Sequence, residues 1–108
     1  MLVYISGNAL MKERLTRAEL WLRLNKHKAI NFAKIVDNIA ELTYEQQMKI
    51  KYLLIEMSEA IFMVDGWQKS KSAHTELAYA KSLGKKVLYQ DYFKEFRKNE
   101  KRDSDGEQ

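Results

Sequence analysis

Short apolar runs and stretches of helical period alternate along this chain. Leu2-Val3-Tyr4-Ile5 is β-branched and aromatic and stops at Ser6-Gly7-Asn8, the pattern of a strand with a turn after it. From Met11 to Asn25 apolar residues recur at Met11, Leu15, Ala18 and Leu22, the spacing of one helix face, which Trp21 and Leu24 widen. Ala29-Ile30-Asn31-Phe32 reads as a second strand, and residues 33–42 as either a short helix or an irregular connection. Thr43 followed three residues later by Gln46 forms a capping box. The helix it starts is expected to carry Ile50, Leu53, Leu54 and Met57 on one face. Ala60-Ile61-Phe62-Met63-Val64 is too short for a helix and reads as a buried strand. A helix beginning near Ser72 follows, with Ala73, Leu77 and Ala80 on one side and Gly84 placed to end it. Val87-Leu88-Tyr89 is a further strand, and Asp91 is expected to cap a last helix carrying Phe93 and Phe96.

Strands alternating with helices predict a parallel sheet covered on both faces. No proline interrupts the 108 residues, and no Gly/Ser-rich linker or internal repeat divides them. One α/β domain over residues 1–90 is expected, followed by a C-terminal helix and charged tail over 91–108.

Composition narrows the chemistry. With 45% hydrophobic residues the chain can build a core, while no apolar run is long enough to span a bilayer. Cysteine is absent, which removes disulfides, thiolate metal sites and a cysteine nucleophile. His27 and His74 lack metal-ligand spacing, so no metal and no cofactor are expected. A cytoplasmic protein without a membrane partner fits these features. The net charge of +4 suits an anionic small molecule, a nucleotide as readily as a nucleic acid. Lys94, Arg97, Lys98, Lys101 and Arg102 are interleaved with Glu95, Glu100 and Asp103. Such a mixed-sign run reads as a solvated helix face, and nucleic acid is not the expected partner.

The corner between the strand at 60–64 and the following helix gathers the candidate chemistry. Asp65, Gly66 and Trp67 form a loop at the carboxyl end of a strand, where open α/β sheets bind ligands. Free N–H groups at the start of the next helix, around Ser70, Lys71, Ser72 and Ala73, favour an anion, with Lys69 adding charge. Glu76 lies about one turn into that helix, where its carboxylate can point back toward the loop. A surface loop with a serine cap and solvated lysines is the plainer alternative.

Val3-Tyr4-Ile5-Ser6-Gly7, together with Gly66-Trp67 through Ser70 to Glu76-Leu77-Ala78-Tyr79-Ala80, resembles the nucleoside 2-deoxyribosyltransferase superfamily. The likeness covers roughly residues 1 to 90 and is strongest to small bacterial and phage members of undefined function. It implies a flavodoxin-like or Rossmann-like three-layer sandwich with a parallel sheet of four to five strands. It also implies cleavage of an N-glycosidic bond, with Glu76 attacking C1′ of the sugar, although Ala78 stands where the family motif has glycine. A helix-start position is expected to help keep that carboxylate ionised. Tyr4 matches a first-strand tyrosine that shapes the sugar site, or is an ordinary strand aromatic. Gly7 and Asn8 fall in the ligand loop, which lacks the family's second glycine.

Ser70 matches the serine by which the hydrolases of nucleoside 5′-monophosphates contact phosphate, where the nucleoside transferases have aspartate. The resemblance therefore implies a 5′-monophosphate ligand. Trp67 either stacks on a base or covers the corner. Lys51 falls where the family commonly has an aspartate, and lysine cannot replace a carboxylate at neutral pH without a large shift. Two functions follow: a nucleotide N-glycosidase or deoxyribosyltransferase, or a catalytically impaired binder that sequesters or senses a nucleotide-derived ligand. A homodimer or larger homo-oligomer is implied, with the helix at 43–57 or the C-terminal segment at the interface.

Overall fold

The structure, a computed structural model, describes residues 1–35 and 38–90. Four strands, β1 (Leu2–Ser6), β2 (Lys28–Ile30), β3 (Ala60–Met63) and β4 (Lys86–Tyr89), form one sheet in the order β2-β1-β3-β4. Every pairing is parallel, with Val3 opposite Ala29 and Ala60, and Phe62 opposite Leu88. The helices are α1 (Lys12–Leu24), the single turn α2 (Phe32–Ile35), α3 (Tyr44–Met57) and α4 (Lys71–Ser82). Strand order turns from one side of β1 to the other between β2 and β3, which is the flavodoxin-like arrangement. A crevice therefore opens at the carboxyl ends of β1 and β3.

Side chains alternate across each strand, so the sheet supports two cores. Val3, Ile5, Ala60, Phe62 and Val64 pack with Leu15, Ala18 and Leu22 of α1 on one face. Tyr4, Ile61 and Met63 pack with Ile55 of α3 and with Ala73, Leu77 and Ala80 of α4 on the other. These are the three layers expected. Gly84, at φ 73°, closes α4 where anticipated: its N–H donates to Lys81 O and the N–H of Lys85 to Ala80 O.

Three local expectations are corrected. The second strand stops at Ile30, because Asn31 Oδ1 accepts from the N–H of Ala33 and turns the chain into α2, which Phe32 begins. Leu24, expected on the inner face of α1, is 81% exposed, since it lies beyond the part of the helix that the sheet covers. On α3 the inner positions are Met48 and Ile55, whereas Leu53 and Met57 are 59% and 65% exposed. The anticipated apolar face is therefore split: Leu54 packs against the core and Ile50 is half-buried, while Leu53 and Met57 face outward. The anticipated helix after Asp91 lies outside the described residues.

The Thr43 capping box is present, with Thr43 Oγ1 accepting from the N–H of Gln46 and Gln46 Oε1 from the N–H of Thr43. Thr43→Ala is expected to lower stability by about 1 kcal/mol, seen as a lower urea midpoint with an unchanged slope.

Candidate functional site

Tyr4 and Ser6 alternate with Ile5 on β1, so both point to the face that α3 and α4 cover. Glu76, in the second turn of α4, meets them there and is only 2% exposed. Ser6 Oγ donates to Glu76 Oε1 at 2.7 Å, and the Tyr4 phenol lies near enough to the same carboxylate to feel its charge. From α3, Lys51 Nζ reaches Glu76 Oε2 at 3.2 Å while lying over the Phe32 ring, 5.0 Å from its centroid. Three elements thus bring two hydroxyls and an ammonium onto one carboxylate.

Burial in this site pushes the Glu76 carboxyl above the usual carboxylate range. The Lys51 charge and the hydrogen bonds from Ser6, Lys51 and Tyr4 oppose that rise without cancelling it. Burial thus works against the help that a helix-start position was expected to give the ionised form. Burial, and then the neighbouring Glu76 charge and hydrogen bond, raise the Tyr4 phenol well above its ordinary value. Tyr4 therefore stays protonated and acts as a donor.

A cleft of about 290 Å³ opens beside this cluster. Tyr4 and Gly7 of the β1 end, Lys12, Asn31, Phe32, Gln47, Lys51 and Glu76 contribute to its walls. Gly7 passes close beneath the loop after β3: a Cβ there would lie 3.0 Å from Val64 Cβ. A side chain would push the ligand loop away from the sheet.

Of the residues expected at a site, Tyr4, Gly7, Lys51 and Glu76 meet at the cleft. The others are elsewhere. Asn8 folds its own turn, with Oδ1 accepting from the N–H of Leu10. The Asp65 N–H donates to Gln90 Oε1, and its carbonyl accepts from Arg14 Nη1 at 3.1 Å. Gly66 adopts φ 90°, and Arg14 Nη1 would lie 2.9 Å from a Cβ placed there, so the turn requires glycine. Trp67 packs against His74 and Tyr89, with centroids at 5.0 and 6.0 Å, and so covers the corner. Its buried Nε1 has no partner among the described residues.

Ser70 is buried as the N-cap of α4, its Oγ accepting from the N–H of Ala73 at 3.2 Å and lying 3.3 Å from Ser72 Oγ. Ala73 is fully buried, and Lys71 is exposed. None of these corner residues lines the cleft. Positive charge on its walls comes instead from Lys12 and Lys51.

Ser6, Lys12, Asn31, Phe32 and Gln47 were not anticipated as site residues. Ser6 was legible in principle, since it sits two positions after Tyr4 on a strand. Gln47 shares a helix face with Lys51, one turn away. Nothing local marked Asn31 and Phe32, whose place depends on where β2 ends.

A parallel sheet in this order, with a cleft built on a buried carboxylate at its switch point, defines a flavodoxin-like α/β domain. The chain belongs to the family described as domain of unknown function DUF4406, whose model matches residues 1–89. Among solved structures it is similar to a CMP N-glycosidase of Clostridium botulinum. The TM-score is 0.61 and the identity 22%, over 82% of this chain and 67% of the other. The two share the nucleoside 2-deoxyribosyltransferase-like fold. No curated protein matches the chain in sequence. Among the described residues no helix is long and apolar enough to cross a membrane.

Proposed function

We propose that this chain binds a nucleoside 5′-monophosphate in the cleft and cleaves, or transfers at, its N-glycosidic bond with Glu76 as nucleophile. The observation that carries this reading is the carboxylate itself, buried at the switch-point cleft and held by Ser6, Tyr4 and Lys51. In the reaction a Glu76 oxygen bonds to C1′ while the bond from C1′ to the base nitrogen breaks. The base leaves with the electron pair and takes a proton from solvent. Water, or a second base, then displaces the ester and restores the carboxylate. The Ser6 and Tyr4 hydroxyls fix the carboxylate plane, so that one oxygen is presented to the sugar. The similar fold of a CMP N-glycosidase supports the substrate class.

Incubation with a panel of nucleosides and 5′-monophosphates, followed by separation of free base, tests the reading. Base release from at least one 5′-monophosphate, faster than from its nucleoside, is expected. No release from any member, despite binding, would leave the second reading, a nucleotide-binding protein without turnover. The ion pair from Lys51 to Glu76 favours that alternative, because it occupies the oxygen that would attack.

The raised Glu76 carboxyl sets the sign of the pH dependence. Only the ionised form attacks, so kcat/KM should fall on the acid side at a pH above the ordinary glutamate range. Lys51→Met removes the main opposing influence and should move that limb further up. A limb at the ordinary glutamate position in both proteins would separate the activity from Glu76.

Assembly belongs to the same proposal. Leu53 and Met57, one turn apart, are exposed on the outer side of α3 with the half-buried Ile50 and Leu54 beside them, and a second copy of the chain is the occupant the proposal assigns to this face. Sedimentation at tens of micromolar should show a dimer that Leu53→Glu dissociates. A monomeric wild type would remove this part of the proposal.

A further inference from the structure

We propose that Lys51 is a removable mask on Glu76, and that an anionic group of the ligand lifts it. This rests on the reading of the cleft as a site for an anionic nucleotide. Glu76 Oε1 is occupied by Ser6 at 2.7 Å, deep against β1, and Oε2 by Lys51 at 3.2 Å. Each oxygen thus carries a partner, and while the ion pair stands the charge on Oε2 is paired with Lys51 rather than free to attack a sugar carbon. The two contacts differ in how easily they break. Ser6 is fixed on a central strand and is 1% exposed. The Lys51 side chain, at 12% exposed, ends a flexible four-carbon stem on the cleft wall, against 3% for Glu76. Oε2 is therefore the oxygen that can be uncovered.

An ammonium leaves a buried carboxylate only for another anion, because separation without a replacement would leave both charges unpaired. A nucleoside offers none. A monophosphate offers up to two negative charges, and its approach to Glu76 would be repulsive unless a cation turned toward it. Lys51 is the cation in contact with the carboxylate, and among the described residues Lys12 is the other positive side chain on the walls. Swinging Lys51 from Oε2 to the phosphate satisfies the incoming charge and exposes the nucleophile in the same movement. The Phe32 ring, 5.0 Å from Nζ, supports the ammonium through its face along that path. Lys51 is then a specificity-determining residue: it makes attack conditional on the ligand's phosphate. This also gives the lysine a task that an aspartate at the same place could not perform.

A double-mutant cycle over Lys51→Met and Glu76→Gln tests this, with matched nucleosides and 5′-monophosphates as probes and calorimetry as the readout. Glu76→Gln keeps the shape of the side chain and frees Lys51, so monophosphate affinity should rise about tenfold or more over wild type. The double variant should lose that gain, and nucleoside affinity should change little throughout. In turnover, Lys51→Met should reduce the preference for monophosphate over nucleoside at least tenfold, through slower phosphate-bearing and faster phosphate-free substrates. Equal monophosphate affinity in wild type and Glu76→Gln would overturn the proposal. So would a double variant that keeps the gain, or monophosphates that bind neither protein. Should Lys51→Met fail to fold, the comparison of wild type with Glu76→Gln still decides. Absence of base release with the cycle as expected would remove the proposed catalysis and leave the mask standing. Base release with an unchanged phosphate preference in Lys51→Met would do the reverse.

Discussion

Glu76→Gln should abolish base release while leaving the fold and the cleft in place. Glutamine has nearly the volume of glutamate, and its carbonyl can still accept from Ser6, which donates to Oε1 at 2.7 Å. What disappears is the anion that bonds to C1′. Loss of a covalent nucleophile typically costs on the order of 10³-fold or more. A reduction of that size, in a variant that still binds 5′-monophosphate, is the expected result. Stopped assays with excess enzyme, read by chromatography of the free base, give the range needed. A modest decline would place the chemistry on another group. Among the described residues lining the cleft, Glu76 is the only carboxylate, so the reaction would then need a different class of mechanism.

Phe62→Ala should be the most damaging change away from the cleft. Phe62 is 2% exposed on the central strand β3, with its ring stacked 5.8 Å from that of Trp21 on α1. Truncation removes a large apolar area and leaves a cavity that neighbours on β1 and α1 cannot fill, a cost of about 3–5 kcal/mol. Small domains have roughly 5–15 kcal/mol in total, so the variant should be near its unfolding threshold at ordinary temperatures. Equilibrium urea unfolding would show the shift. Leu53→Ala is the contrast, because Leu53 is 59% exposed on the outer side of α3. It should move monomer stability by less than about 0.5 kcal/mol.

That contrast also shows where sequence reading succeeds and where it stops. Leu15, Ala18 and Leu22 on α1, and Ala73, Leu77 and Ala80 on α4, carry one apolar stripe each, and the core takes that stripe. Helix α3 carries two, Met48 with Ile55, which the core takes, and Ile50 with Leu53, Leu54 and Met57, of which Leu54 still packs against the core while Leu53 and Met57 are exposed. Periodicity finds both and cannot rank them, since the choice depends on how the helix crosses the sheet. The same limit applies at the end of β2. Ile30 and Phe32 look like one strand until the Asn31 side chain bonds the N–H of Ala33 and turns the chain.

The cleft was legible in part, for a similar reason. Glu76 and Tyr4 stand out by motif, and the structure brings them together with Gly7 and Lys51. Serines and lysines close to Glu76 in sequence were assigned to the ligand, yet Ser70 is occupied in capping α4. A hydroxyl at a helix start satisfies its own helix before it serves a ligand. Ser6 lies seventy positions from Glu76 and is bonded to it. Strand alternation could have placed Ser6 beside Tyr4, but only the fold shows which helix covers that face. Lys51 reads as a departure from a family pattern in sequence. In space it is an ion-pair partner of the candidate nucleophile.

Peptide mapping after rapid acid quench is the most direct measurement of the central claim. Wild-type protein would be mixed in slight excess with a 5′-monophosphate that releases base, quenched within a single turnover, digested and weighed by mass spectrometry. The expected result is a sugar-phosphate increment on the peptide containing Glu76, absent from Glu76→Gln. The contradictory result is base release with the increment on a different peptide, or undiminished release from Glu76→Gln.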